Sequence, residues 1–250
     1  MVHLSPLPGS PGFRHDFEAV LAAATRDAEM LHDAGFDALM VENFGDAPFF
    51  ADDVPKVTVA AMARAVAAVR DVAGIPVGVN VLRNDGLAAL AVAAASNASL
   101  VRVNVLSGTM YTDQGPIVGK AAEIARTREQ LCPETAILAD VFVKHAVPPA
   151  GITIEEAVRD LAERGGADAI VVSGTGTGLP AAEEDLKRVR SETDLPIYIG
   201  SGATADTVRS LLETADGVIV GSALKMGAQA TDSVDPERAA AFIAAARATA

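Results

Sequence analysis

Asp168-Ala-Ile-Val-Val-Ser-Gly-Thr-Gly-Thr-Gly178, Pro196-Ile-Tyr-Ile-Gly-Ser-Gly202 and Gly217-Val-Ile-Val-Gly-Ser-Ala-Leu-Lys225 follow one another near the end of the chain. Each is a short apolar run that ends in small residues. The first two lead directly into helical patterns, the third into a loop and then a helix. Glycines at such ends let the backbone approach a ligand and present bare N–H groups to it. A helix starting just afterwards adds partial positive charge, so the arrangement suits an anion. Turns of this kind after the last strands of a (β/α)₈ barrel are a common place for phosphate. Ser173, Gly174, Gly200, Ser201, Gly202, Gly221 and Ser222 are therefore the expected phosphate contacts. The plainer reading is that these are short βα turns that need glycine.

Working outward from that stretch, eight strand-then-helix alternations fill the chain without a linker or low-complexity segment. The expected strands are Val2–Leu4, Ala38–Glu42, Val77–Val81, Leu100–Val105, Ala136–Val141, Ala169–Ser173, Ile197–Gly200 and Val218–Gly221. The expected helices cover 16–33, 57–73, 87–96, 117–131, 153–164, 181–191, 204–213 and 235–249. Asp16, Thr153, Thr204 and Asp235 sit at N-cap positions, the last followed by Pro236, while Gly35 and Gly74 suit helix C-termini. Recurring short βα units imply right-handed crossovers and a parallel sheet. Eight of them in 250 residues predict a single (β/α)₈ TIM barrel over residues 1–250, with a phosphate-binding cup at the sixth to eighth strands.

Alternation along the strands sorts inward from outward residues. With valines, leucines and isoleucines outward, His3, Glu42, Asn80, Arg102, Asn104 and Asp140 point toward the axis, mostly near the strands' C-terminal ends. Polar groups at such positions are costly unless paired or used, and the top of a barrel is where catalytic groups sit. Glu42 and Asp140 are the candidate acid and base. They could instead hold a divalent metal, Mg²⁺ or Mn²⁺, through oxygen ligands beside Asn80 and Asn104. A third reading is a buried polar network with Arg102 that only knits the barrel together. Lys144 and His145 follow the fifth strand: the lysine could form a Schiff base or neutralise a phosphate, and the histidine could exchange protons. His3, Asn80, Arg83, Asn104 and Asp113 are expected to contact substrate, with Arg83 placed to clamp a phosphate or carboxylate. Asn84 and Asp85 read equally well as a turn and a helix cap. Thr112-Asp-Gln-Gly115 reads as a lid or a substrate-contacting loop, and Phe44–Pro55 as another lid or a subunit contact.

Composition excludes several classes. A formal charge of −13 argues against nucleic acid or an anionic membrane surface as partner. Any anion site must be built locally. The acidic surplus is compatible with a high-salt cytoplasm or with a GC-rich genome. A single cysteine, Cys132, allows no disulfide framework or cysteine-based metal cluster within one chain. No apolar run reaches membrane-spanning length and no charged leader precedes one, so a cytoplasmic protein without membrane insertion is expected. Neither a P-loop nor a Rossmann fingerprint occurs. A flavin phosphate in the cup has no further support, and no cofactor beyond the divalent metal is indicated. A homo-oligomer is a further expectation, with no sequence feature to set its number of subunits.

Taken together, Val2-His-Leu-Ser-Pro-Leu-Pro-Gly-Ser-Pro11, Val41-Glu-Asn-Phe-Gly-Asp46, Gly78-Val-Asn-Val-Leu-Arg-Asn-Asp85 and Arg102-Val-Asn-Val105 closely resemble the BtpA/SgcQ family. So do Thr112-Asp-Gln-Gly115, Ala139-Asp-Val-Phe-Val-Lys-His145 and Val220-Gly-Ser-Ala-Leu-Lys225, and the likeness runs from residue 2 to about residue 240. The resemblance implies a TIM barrel similar to phosphate-binding barrels. One branch of that family is named for a cyanobacterial factor needed for stable photosystem I, and another is associated with sugar-utilisation operons and a nucleotidase description. Two functions are thus carried forward. One is an enzyme acting on a small phosphorylated metabolite, a sugar phosphate or nucleoside-derived phosphate, by isomerase, lyase or hydrolase chemistry. The other is a non-catalytic assembly or stability factor.

Overall fold

The computed structural model describes residues 1–174 and 183–248. In chain order the strands are β1 (Val2–His3), β2 (Leu39–Glu42), β3 (Val77–Asn80), β4 (Leu100–Val103), β5 (Thr109–Thr112), β6 (Gly115–Val118), β7 (Ala136–Val141), β8 (Ala146–Val147), β9 (Ala169–Val172), β10 (Ile197–Ile199) and β11 (Gly217–Val218). The α-helices among the described residues are α1 (Phe17–Ala34), α2 (Lys56–Ala73), α3 (Gly86–Ser96), α4 (Ala121–Leu131), α5 (Ile154–Arg159), α6 (Glu183–Glu192), α7 (Val208–Leu211) and α8 (Pro236–Arg247). Eight strands form one sheet in the order β1-β2-β3-β4-β7-β9-β10-β11, every neighbouring pair parallel. The sheet curls until Met1 N donates to Val220 O at 2.9 Å, which brings its two edges together. This is a (β/α)₈ barrel. No helix among the described residues is long and apolar enough to cross a membrane.

Local signals set the helix ends. Asp16 caps α1 by accepting from Ala19 N, and Gly35 closes it in the left-handed region at φ 93°. Thr153 and Glu156 form a full capping box at α5. Asp235 caps α8, with Pro236 in its first turn.

Three expected helices differ. The helix expected over 117–131 begins at Ala121, because 115–118 pairs with 109–112 as an antiparallel hairpin to which β8 adds a third strand. The expected 153–164 helix is α-helical only to Arg159 and continues as a π-helical segment over Asp160–Gly165. The expected 204–213 helix shrinks to α7, since Thr204 N donates to Thr207 Oγ1 at 3.0 Å and holds 204–207 as a turn. The barrel strands keep their places, most of them one or two residues shorter than expected.

Inside the barrel the lower layer is apolar: Met40, Leu138, Ala169 and Val171 pack with Leu100, Tyr198 and Ile219. Gly78 makes room for Leu100, whose Cδ1 would lie 2.4 Å from any added Cβ. Large and small residues alternate there to fill the taper. Outside the sheet, valines and leucines of the strands meet the inner faces of the helices in one continuous core.

One charged pair ties the last loop to this frame. Lys225 is fully buried, and its Nζ donates to Asp27 Oδ2 on α1 at 2.6 Å, while Val234 N donates to Asp27 Oδ1 at 2.9 Å. Removing one partner of a buried pair strands the other charge. Asp27→Ala should therefore cost about 3–5 kcal/mol in urea unfolding. A loss below about 1 kcal/mol would show that the pair is solvated instead.

Candidate active site

The upper layer of the interior is polar. Register aligns His3 with Glu42, Glu42 with Asn80 and Asn80 with Arg102 across β1 to β4, at the strands' C-terminal ends. Arg102 and Asp140 are almost fully buried and make a two-pronged ion pair, Nε to Oδ1 and Nη2 to Oδ2, both 2.7 Å. Ser173 Oγ donates to Asp140 Oδ2 at 3.3 Å. Gly200 leaves the space for this group: an added Cβ would lie 2.6 Å from Ser173 Oγ and 3.0 Å from Arg102 Nη2. Asn80 Nδ2 donates to Asn104 Oδ1 at 2.9 Å and to Arg102 O at 3.0 Å, and among the described residues its own Oδ1 is buried without a partner.

Asp140 thus has both oxygens on a guanidinium, which leaves it the network role rather than the acid–base one. The donor set does not suit a divalent cation either. Among the described residues no three His, Cys, Asp or Glu side chains gather as ligands, and the proposed companion of Glu42 is already neutralised. Asn84 and Asp85 act as a turn and cap. Asn84 exchanges two hydrogen bonds with the Val105 backbone, while Asp85 caps α3 and accepts from Val54 N.

Above this layer lie Glu42, His3, Lys144 and Arg83. His3 Nδ1 stands 3.0 Å from Ala230 O. A carbonyl only accepts, so Nδ1 carries the proton and Nε2 presents its lone pair toward Glu42 Oε1, 3.7 Å away. Burial, with the positive charges of Lys225 and Lys144, holds the His3 ring well below the usual histidine value, so it is neutral. Burial pushes the Glu42 carboxyl up, against the pull of Lys144 and Arg102. Burial likewise lowers the Lys144 amine, which makes no hydrogen bond or ion pair with any described residue, although the Glu42 charge opposes the shift. Arg83 Nη2 donates to Lys144 O at 2.5 Å.

Two adjoining cavities share Glu42, Phe44, Arg102 and Lys144. One, of about 270 Å³, is walled by Gly200, Ser201, Gly202, Gly221 and Ser222. The other, of about 340 Å³, is walled by Arg83, Asn104, Asp113 and His145. Asp113 reaches it from the turn of the β5–β6 hairpin. His145 lies on its exposed rim, where partial burial and the charges of Lys144 and Arg83 lower its ring. Asn80, Asp140 and Ser173 lie beneath the cavities rather than in them, and Gly174 borders the segment Thr175-Gly-Thr-Gly178, which lies outside the described residues.

The glycines differ in purpose. Gly221, like Gly200, makes room inside the barrel, since an added Cβ would lie 2.7 Å from His3 Cε1. Gly202 has φ 77° and needs the left-handed region. The backbone N–H groups of Gly202 and Ser222 have no hydrogen-bond partner among the described residues. No helix starts at Gly202, since α7 begins only at Val208 and is four residues long, so no helix dipole adds to that turn.

Two contributors were not expected from sequence. Phe44 packs its ring 5.0 Å from that of His3, and Ala230, in the loop after β11, fixes the His3 tautomer. Only the position of Phe44, two residues past the Glu42 strand end, could have signalled it.

The raised Glu42 carboxyl has a stability consequence. The folded state keeps the proton above the usual 4.5, where the unfolded chain has lost it, so ionisation of Glu42 erodes stability as pH rises through that window. Glu42→Gln should be more stable than the parent protein at neutral pH, with the difference shrinking toward pH 4. Parallel stability–pH curves in urea unfolding would contradict this.

A sequence model of the BtpA family matches residues 1–248. The photosystem I biogenesis protein BtpA of Synechocystis is 45% identical over 246 residues, covering 98% of this chain and 86% of that one. An uncharacterized protein of Thermococcus kodakarensis is 49% identical over 241 residues, covering 96% and 90%. Among solved structures, orotidine 5′-phosphate decarboxylase from Pyrococcus horikoshii superposes with a TM-score of 0.62 at 15% identity, covering 94% of this chain and 97% of that one. Thiamine phosphate pyrophosphorylase from Pyrococcus furiosus gives 0.59 at 17% identity, covering 89% and 88%. These two likenesses concern the fold. The sequence matches are of another order, and the chain belongs to the BtpA family.

Proposed function

We propose that this protein is an enzyme acting on a small phosphorylated metabolite, a sugar phosphate or nucleoside-derived phosphate, by proton transfer next to a carbonyl. The observation that carries the reading is the pairing, in one cavity, of unengaged backbone N–H groups at Gly202 and Ser222 with a buried Glu42–His3 couple. The N–H groups suit the non-bridging oxygens of a phosphate. Glu42 and the lone pair of His3 Nε2 suit the taking and returning of a proton, because burial brings the affinities of a carboxyl and an imidazole toward each other. Negative charge developing on a carbonyl oxygen beside them would face the Lys144 amine in the field of Arg102. The fold neighbours are named for phosphate-bearing compounds, which supports the same ligand class. The assembly-factor reading rests on the name of the Synechocystis relative, and a buried polar layer opening into two cavities is not what a scaffold needs.

A panel of sugar phosphates and nucleotides in thermal unfolding tests the binding half. A true ligand at a hundredfold excess over its Kd adds about 2.7 kcal/mol of stability. The shift should disappear in Gly202→Asp, which sets a carboxylate where the phosphate would lie. Glu42→Gln should keep the shift but lose about 10²–10⁴-fold in the rate at which solvent deuterium enters the ligand. No shift with any phosphate ester, under conditions where the protein is folded, would overturn the reading.

A further inference from the structure

The second cavity holds an anomaly of charge. Among the described residues, every other lysine or arginine that is buried or half-buried has a carboxylate at ion-pair distance. Arg102 has Asp140, Lys225 has Asp27, Lys120 has Asp52, and Arg128, Arg188 and Arg190 are each paired as well. Arg83 and Lys144 are the exceptions. Arg83 is 6% exposed, and its recorded hydrogen bond goes to a neutral acceptor, Lys144 O. The Lys144 amine has no partner at all among those residues. Both border the same cavity of about 340 Å³.

Scarcity of acids does not explain this, since the chain carries 33 Asp and Glu against 20 Lys and Arg. Around the cavity, Asp140 is committed to Arg102, Asp113 stands at the exposed hairpin turn, and Glu42 is the buried carboxyl the proton-transfer reading needs. None of the three reaches Arg83 or Lys144 within ion-pair distance. A buried cation without a counter-ion is expensive, and two of them facing one cavity leave that expense to be met by whatever enters it.

The geometry points to a second anionic subsite: Arg83 and Lys144 receive a carboxylate or second phosphoryl group of the same substrate whose first phosphate lies at Gly202 and Ser222. This rests on the phosphate reading above and narrows it, from phosphate monoesters in general to molecules with an anion at each end. The two cavities meet at Glu42 and Lys144, so such a molecule would span the mouth with its reacting carbon between its charged ends. A planar guanidinium and a nearby ammonium match the two oxygens of a carboxylate. The displacement of both cations toward their neutral forms by burial agrees with sites completed by an anion.

Matched pairs of probes test this by calorimetry or thermal shift: 3-phosphoglycerate against glycerol 3-phosphate, 6-phosphogluconate against sorbitol 6-phosphate, and fructose 1,6-bisphosphate against fructose 6-phosphate. In at least one pair the doubly anionic member should bind about tenfold or more tightly than its partner. The pair that shows the gain identifies the second group as carboxylate or phosphoryl. Read as the affinity ratio between the two members of that pair, the gain should fall to about one in Lys144→Gln and in Arg83→Gln. Arg83→Gln also loses its bond to the Lys144 carbonyl, so Lys144→Gln is the decisive variant if the other fails to fold. If the monoesters bind and the second charge adds nothing in any pair, the subsite is overturned and the phosphate reading stands. If no member of any pair binds, both fall.

Discussion

The two-pronged ion pair between Arg102 and Asp140 is the constraint around which the mouth of the barrel is arranged. Taking both charges out of water is costly, and the cost is offset only by close geometry and by satisfying the remaining donors and acceptors. The structure meets those terms with two bonds of 2.7 Å, a Ser173 hydroxyl on the carboxylate, and the Arg102 carbonyl occupied by Asn80. The pair also fixes what may stand beside it. Gly200 cannot carry a side chain, and Asn80 must turn its amide toward Arg102 and Asn104. The charges felt by Glu42 and Lys144 come partly from this pair.

Beneath the pair the barrel is closed by apolar side chains; above it the same fold tolerates groups that weaken it. Among the described residues, Glu42 is buried without a hydrogen bond, the Lys144 amine has no partner, and Asn80 Oδ1 is unsatisfied. Each opposes folding. A continuous core between sheet and helices and the anchor of Lys225 on Asp27 can carry that load. Groups that cost stability in the empty protein but converge on one opening are what a site for charged ligands requires.

Much of this architecture was legible in the sequence because barrels repeat. Valines alternating with Glu42, Asn80, Arg102 and Asp140 disclose which face of each strand meets the helices, and eight such units leave little choice of fold. What stayed hidden depends on contacts between distant segments. Nothing local says that 109–112 and 115–118 fold back as a hairpin to be joined by 146–147, or that Ala230 reaches across the barrel to orient His3. Asp140 read as an acid–base group, a metal ligand or a network partner of Arg102, because alternation places it inward without saying which neighbour it meets. Gly200 and Gly221 were expected as phosphate contacts, and each also makes room for a neighbouring side chain, a second purpose that looks the same in sequence. Of the three, Gly202 alone is held at positive φ.

On the proposed reading, one mouth binds phosphate at the turns after β10 and β11 and works on the attached carbon at Glu42. A crystal structure of the protein grown with ribose 5-phosphate tests it most directly. Phosphate oxygens are expected at hydrogen-bond distance from the Gly202 and Ser222 N–H groups, with the sugar directed toward Glu42 and His3. A phosphate seated away from those turns, with Glu42 and His3 untouched, would contradict it.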